Sequence, residues 1–233
     1  MQMVILAGGL GTRMRPLTER CPKAMIMVED KPFLQYQIEL LRENRVTEIV
    51  LCVGYLADQI KDYFGDGRRF GVDIRYSEEK GQLLGMAGAL RNAEPLLCEE
   101  FLAMNGDSYL SLDYAEIMSY FKKKDKLGLM VVYRNHDRYE ASNVAIEGEQ
   151  VTTYDRNKMF PWMTYVDAGL WALRQKALCL IPQCCAVSQE EFFHKLIERN
   201  ELLAFEVSQR FYEIGSFGGL TEFSQLIEGG ITQ

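Results

Sequence analysis

A few residues at separate points of the chain have the types and spacing to handle a polyphosphate. Gly8, Gly9 and Gly11 form a glycine-rich run after the apolar stretch from Met3 through Ala7. Glycines let a backbone take positive φ and turn its peptide N–H groups onto an anion. Arg13 and Lys23 follow and bring the charge that such a loop lacks. Much later, Asn105-Gly106-Asp107 closes another short apolar run with a carboxylate. Two cations and an acid around a glycine loop suit electrostatic work on phosphates. The two histidines, His136 and His194, make a zinc site or a histidine-based triad a poor expectation.

These groups need elements to hold them. The run before Gly8 reads as a buried strand, and helical spacing follows over 33–44, with Phe33, Tyr36, Leu40 and Leu41 on one side. Strands are expected at 46–53, 72–76 and 101–104, and helices at 56–64, 85–97 and 114–124. Such alternation implies right-handed crossovers and a mostly parallel sheet, whose ligands gather at the strand carboxyl ends. Gly8-Gly9 and Asp107 both stand there, so they can share a cleft. Past Leu127 the pattern turns strand-rich and more antiparallel: 127–133, 143–146, 150–154 and 163–173, then 202–207 and 211–214, with helices at 188–199 and 217–227. The reading is one α/β domain over 1–233, with a nucleotide half at about 1–126 and a second-substrate half at about 127–233.

The totals narrow the classes. A chain of 233 residues, 48% hydrophobic and 25% charged, can bury a sizeable core. Net charge is −7, which argues against a nucleic-acid-coating surface and makes any anion site local. No apolar run suits a bilayer span and no secretory signal stands out, so a cytoplasmic location is expected. The scattered cysteines, several of them in apolar strands or helices where a free thiol acts as a small hydrophobe, fit a reducing compartment.

Which glycine loop this is can be tested by mechanism. A Walker A loop needs Gly-Lys and then Ser or Thr, but the chain has Gly-Thr-Arg. A dinucleotide fingerprint needs a third glycine where Met14 stands. What remains, Leu-Ala-Gly-Gly-x-Gly-Thr-Arg-Met-x-Pro-Leu-Thr with Pro22-Lys23 beyond it, closely resembles the signature of the sugar-1-phosphate nucleotidyltransferases, or nucleotide-sugar pyrophosphorylases. The likeness continues through Leu84-Gly85-Met86-Ala87-Gly88, Asn105-Gly106-Asp107 and Phe211-Tyr212-Glu213-Ile214-Gly215. Tyr63-Phe64-Gly65-Asp66-Gly67 and Asn105-Gly106-Asp107-Ser108-Tyr109 most resemble the heptose-1-phosphate and mannose-1-phosphate guanylyltransferases.

The resemblance implies a nucleotide-diphospho-sugar transferase fold, a Rossmann-like sheet flanked by helices with a strand-rich sugar-binding half. It implies attack by a sugar 1-phosphate on a nucleoside triphosphate, giving an NDP-sugar and pyrophosphate. It places the nucleotide on Leu6, Ala7, Gly8, Gly9, Gly11, Thr12, Arg13, Glu79, Gly85 and Met86. Arg13 would face the leaving pyrophosphate, Lys23 would bridge the two reacting phosphates, and Arg15 is either a phosphate contact or a salt-bridge partner. Asp107 and Glu213 would hold Mg²⁺, although the family often has Asp where Glu213 stands.

Asn105, Asn143, Lys158 and Asp167 lie where the family contacts the sugar, and either Lys158 or Arg156 could be the phosphate-side cation. Trp162 and Trp171 could wall that pocket. Glu78 or Glu79 could accept from guanine N1–H and N2, favouring GTP, while Lys80 and Gln82 could read another base. A heptose substrate would imply lipopolysaccharide, capsule or S-layer supply. The alternatives are a cytidylyl-, uridylyl- or thymidylyltransferase, or a homologue that binds without turnover. A homo-oligomer is possible.

Overall fold

The structure, a computed structural model, describes residues 1–135, 141–158 and 160–229. His136 lies outside the described residues. The chain begins with β1 (Gln2–Leu6), a short hairpin of β2 (Met27–Val28) and β3 (Lys31–Pro32), and helix α1 (Phe33–Glu43). Next come β4 (Glu48–Val53), α2 (Ala57–Phe64), β5 (Asp73–Glu78), α3 (Gly85–Ala93) and β6 (Glu100–Asn105). Then follow β7 (Ser108–Tyr109), α4 (Tyr114–Lys122), β8 (Gly128–Arg134), β9 (Val144–Glu147), β10 (Gln150–Tyr154) and β11 (Tyr165–Arg174). The chain closes with α5 (Gln189–Glu198), β12 (Leu202–Val207), β13 (Tyr212–Glu213) and α6 (Phe217–Glu228).

Nine of these strands share one sheet in the order β5-β4-β1-β6-β11-β8-β12-β10-β9. The joints from β5 to β6 are parallel, as expected for βαβ crossovers. Strand β11 then enters antiparallel beside β6, so a strand from late in the chain stands between β6 and β8. Strand β11 also pairs with β9 at Tyr165↔Val144, which bends the far end of the sheet into a closed circuit.

Period-two alternation divides the sheet's residues between two cores. Met3 and Ile5, Ile49 and Leu51, and Leu102 and Met104 face α1, α2 and α4. Val4, Val50, Phe101, Ala103 and Trp171 face α3 and α5. A third cluster packs Met14, Phe33, Tyr36, Tyr109 and Ile214 around Phe223 of α6. Phe223 meets Phe33 edge-on with ring centroids 4.9 Å apart and lies 5.1 Å from Tyr109.

The cysteines depart from expectation. Cys52 is buried and Cys21 partly so, but Cys98, Cys184 and Cys185 are exposed on turns and loops and Cys179 is exposed on a 3-10 helix. Among the described residues no helix is long and apolar enough to cross a membrane.

Candidate active site

The glycine loop leaves β1 between β4 and β6, and its shape follows from close approaches. The Gly8 carbonyl accepts from Tyr55 N at 3.1 Å. A Cβ at Gly8 would stand 2.5 Å from Glu79 Oε1. Gly11 takes φ +61°, and its carbonyl accepts from both Met14 N and Thr18 Oγ1 at 2.8 Å. Gly106 packs flat against the end of β1, where a Cβ would reach Leu6 O at 2.7 Å. That contact brings the Asp107 turn down onto the loop. Lys23, opening a 3-10 turn after Pro22, pairs with Asp107 Oδ2, both side chains being largely shielded.

Around this pair lies a cavity of about 480 Å³. It is lined by Leu6, Ala7, Gly8, Gly9, Gly11, Thr12, Arg13, Lys23, Glu79, Gly85, Met86, Asn105 and Asp107, together with Arg156, Ser188 and Gln189 among others. A second cavity of about 330 Å³ is lined by Arg13, Ala141, Ser142, Asn143, Asp155, Arg156 and Glu213. Arg13 and Arg156 border both cavities, so the spaces adjoin along a basic seam.

Burial separates the two candidate base-reading acids. Glu78 pairs with Lys61 at 2.7 Å on the outer side. Glu79 lines the larger cavity, accepts from Leu84 N, and is held above the usual carboxylate range by loss of water, which outweighs that hydrogen bond. Behind it Gly85, at φ +69°, lets the start of α3 press on Val187, whose carbonyl accepts from Ala87 N at 3.2 Å.

Glu213 reaches Asp107 through backbone pairing. Strand β13 pairs with β7 at Glu213↔Ser108, and Ile214 N donates to Asp107 O at 2.9 Å. A Cβ at Gly215 would lie 2.9 Å from Glu213 Oε1 and 3.2 Å from Arg13 Nη2, so its absence gives both side chains room. No cluster of three or more His, Cys, Asp or Glu suited to a metal occurs among the described residues. Asp107 on the larger cavity and Glu213 on the smaller still fit Mg²⁺, which is commonly held by one or two acids plus phosphate oxygens and water.

The residues expected on the sugar side do not all line the cavities. Asp167 lines neither cavity. Its Oδ1 accepts from Gly169 N and Trp171 Nε1 at 3.0 Å each, and its Oδ2 accepts from Tyr154 OH at 3.2 Å and Gln189 Nε2 at 2.5 Å. A carboxylate has about four lone-pair sites, and these donors take them, leaving none for a sugar hydroxyl. Loss of water pushes this carboxyl up to about 6 despite those donors and Arg156.

Lys158 is exposed and off both cavities, because Asp155 Oδ1 caps the turn through Asn157 N and Lys158 N at 2.8 Å each and Arg156 points to the seam instead. Trp171 is fully buried, and Trp162, 60% exposed, stacks on Phe160 away from both cavities. Arg15 is exposed and lines neither cavity.

Asn143 does line the smaller cavity, its Oδ1 accepting from Asp167 N at 3.0 Å, and Asn105 lines the larger. Gln189 and Ser188 were not anticipated as lining residues. The sequence shows a helix from 188 and no more; in the structure a Ser188–Glu191 capping box starts it and Gln189 follows inward.

Residues 2–226 match the family described as Nucleotidyl transferase. A D-glycero-alpha-D-manno-heptose 1-phosphate guanylyltransferase of Campylobacter jejuni is 31% identical, over 92% of this chain and 95% of that one. A UTP–glucose-1-phosphate uridylyltransferase of a Synechocystis strain is 28% identical over the whole chain, which spans 64% of that relative's length. The solved structure of HddC from Yersinia pseudotuberculosis with GMP-PN superposes with a TM-score of 0.83 at 25% identity, covering 97% of this chain and 99% of that one.

Proposed function

The chain belongs to the nucleotidyl transferase family, and from that premise we propose that it joins a nucleoside triphosphate to a sugar 1-phosphate, releasing pyrophosphate. The observation that carries the reading is the Lys23–Asp107 pair, set at the glycine loop beside two adjoining cavities that share Arg13 and Arg156. One cavity suits the triphosphate and the other the sugar phosphate.

In the reaction an oxygen of the sugar phosphate forms a bond to the α-phosphorus, and the bond from that phosphorus to the bridging oxygen of the pyrophosphate breaks. The nucleophile is already anionic, so the protein's task is to bring like charges together and hold them in line. Backbone N–H groups of the glycine loop cradle the triphosphate. Arg13 offers the leaving pyrophosphate a planar fork of donors, and Lys23 lies between the reacting phosphates. Arg156, rather than Lys158, is the cation on the sugar-phosphate side. Asp107 and Glu213 would hold Mg²⁺. When bound, that ion would withdraw charge from the phosphate oxygens.

GTP is the favoured triphosphate. Glu79 supports this as a hydrogen-bond acceptor in the larger cavity, and the Campylobacter relative, described as a guanylyltransferase, agrees. The same relative favours a heptose 1-phosphate, and with it a place in lipopolysaccharide, capsule or S-layer glycan supply in the cytoplasm. The Synechocystis relative keeps uridylyl transfer as the second reading.

The test is pyrophosphate release with Mg²⁺, each of five nucleoside triphosphates and a panel of sugar 1-phosphates. Release with GTP and a heptose 1-phosphate is expected. Release with UTP alone would remove the base assignment, and silence with every pair would remove the transfer reaction. Asp107→Asn is expected to lower turnover by roughly a hundredfold or more while the protein melts normally.

A further inference from the structure

Helix α1 turns one amide into the packed layer beneath the site. Gln37 is 1% exposed, and its neighbours Leu34, Ile38 and Leu41 all belong to the apolar core. Its Nε2 donates to Asn105 O at 2.9 Å and to Ser108 O at 2.6 Å. Those carbonyls stand on either side of Gly106-Asp107, so a single NH₂ group spans the turn that carries Asp107.

The orientation of this amide is dictated by its partners. Exchanging its nitrogen and oxygen would set Oε1 against two carbonyl oxygens. In the observed orientation Oε1 is buried and has no hydrogen-bond partner. Burying such an acceptor is unfavourable, and an apolar side chain of the same size would avoid it. What only the amide supplies is a pair of donors from one atom.

The turn is otherwise held from its sides. Gly106 N donates to Leu6 O at 3.0 Å from the β1 side, and Ile214 N donates to Asp107 O at 2.9 Å from the β13 side. Gln37 provides the support from below.

We infer that Gln37 is a positioning residue for Asp107: it clamps the Asn105 and Ser108 carbonyls and so sets the Asp107 carboxylate against Lys23 without itself lining either cavity. The inference rests on the transfer reading, in which that carboxylate works at the reacting phosphates. Misplacing a catalytic group by about 1 Å can cost on the order of a hundredfold in rate. The effect of losing the clamp therefore falls on kcat, because Gln37 donates to the turn that carries Asp107 and not to the glycine loop.

The experiment compares wild type, Gln37→Met, Gln37→Glu and Asp107→Asn. It measures pyrophosphate-release kinetics, thermal unfolding and hydrogen exchange of the amides in 105–109. Gln37→Met keeps the volume and removes both donors. It is expected to fold, to exchange those amides roughly tenfold faster, and to lose kcat about tenfold or more with both KM values within about twofold. Gln37→Glu, isosteric but offering an acceptor to two carbonyls, is expected to lose at least as much.

Unchanged kcat in Gln37→Met, or a loss confined to KM, overturns the inference. So does failure of both Gln37 variants to fold, since the amide would then serve the fold as a whole. If Asp107→Asn keeps full activity, the role given to Asp107 fails and the inference with it, whereas silence of the wild type with every substrate pair removes the transfer reading, and the exchange of 105–109 still decides whether Gln37 holds the turn.

Discussion

A methyl group added at position 9 would meet no protein atom within 4 Å, whereas one at position 8 would strike Glu79. Gly9 also lies outside the left-handed region. The fold makes no steric demand for glycine there, and the demand comes from whatever enters the cavity. Gly9→Ala is therefore expected to unfold within about 0.5 kcal/mol of wild type while KM for the triphosphate rises roughly tenfold. Gly8→Ala should lose both stability and affinity, and paired chemical-denaturation and kinetic measurements separate the two.

Asp167 gives a pH signature. Its folded carboxyl, raised to about 6, binds a proton more tightly than the unfolded chain does. Its contribution to stability therefore declines as pH rises from about 4 to about 6 and is level above that. Asp167→Asn should remove this decline, and parallel curves for the two proteins in denaturant titrations across that range would refute it. The meeting of the glycines, Arg13, Lys23 and Asp107 at one cavity was legible in sequence because all of them follow strand ends in short motifs. The surroundings of Asp167 and Lys158 were not legible, because Asp167 meets Tyr154 and Gln189 only through the fold and the turn at Lys158 is set by Asp155.

At the scale of elements, the strongly periodic segments were read closely. Strands β10 and β12 have the expected bounds, and α3 gives way to a 3-10 turn at Glu94–Leu96, where Pro95 removes a helical N–H. The two-residue strands β2, β3 and β7 were missed, since so short a ribbon has no period to detect. Yet β7 with β13 brings Glu213 beside Asp107.

Helix α6 braces this ribbon. Phe223 packs on α1 and β7, and a Cβ at Gly219 would overlap the Glu213 carbonyl. Phe223→Ala is expected to cost about 3–5 kcal/mol and to lower turnover at temperatures where the protein is still folded. Activity that tracked global unfolding alone would show that α6 braces the fold and not the site.

For the molecule as a whole, the two sequence halves share one sheet rather than meeting at a boundary. Strand β11 covers β6 from Leu170↔Met104 to Arg174↔Glu100. A fragment ending near residue 126 would expose that edge of β6. It is expected to aggregate or remain unfolded, while the full chain gives a single calorimetric transition. The alternation of helices and strands revealed the parallel half. Insertion of β11 between β6 and β8 was not legible, because antiparallel pairing over such sequence distance leaves no local mark.

The arginines common to both cavities have a thermodynamic consequence. Each guanidinium has a fixed set of five N–H donors, so under the proposed reaction those engaged by one substrate's phosphates change what the other meets. The two binding equilibria are therefore coupled, and reciprocity requires equal factors in the two directions. Under the proposed reaction, the factor by which a bound triphosphate analogue alters affinity for the sugar phosphate must equal the factor by which the sugar phosphate alters affinity for the analogue.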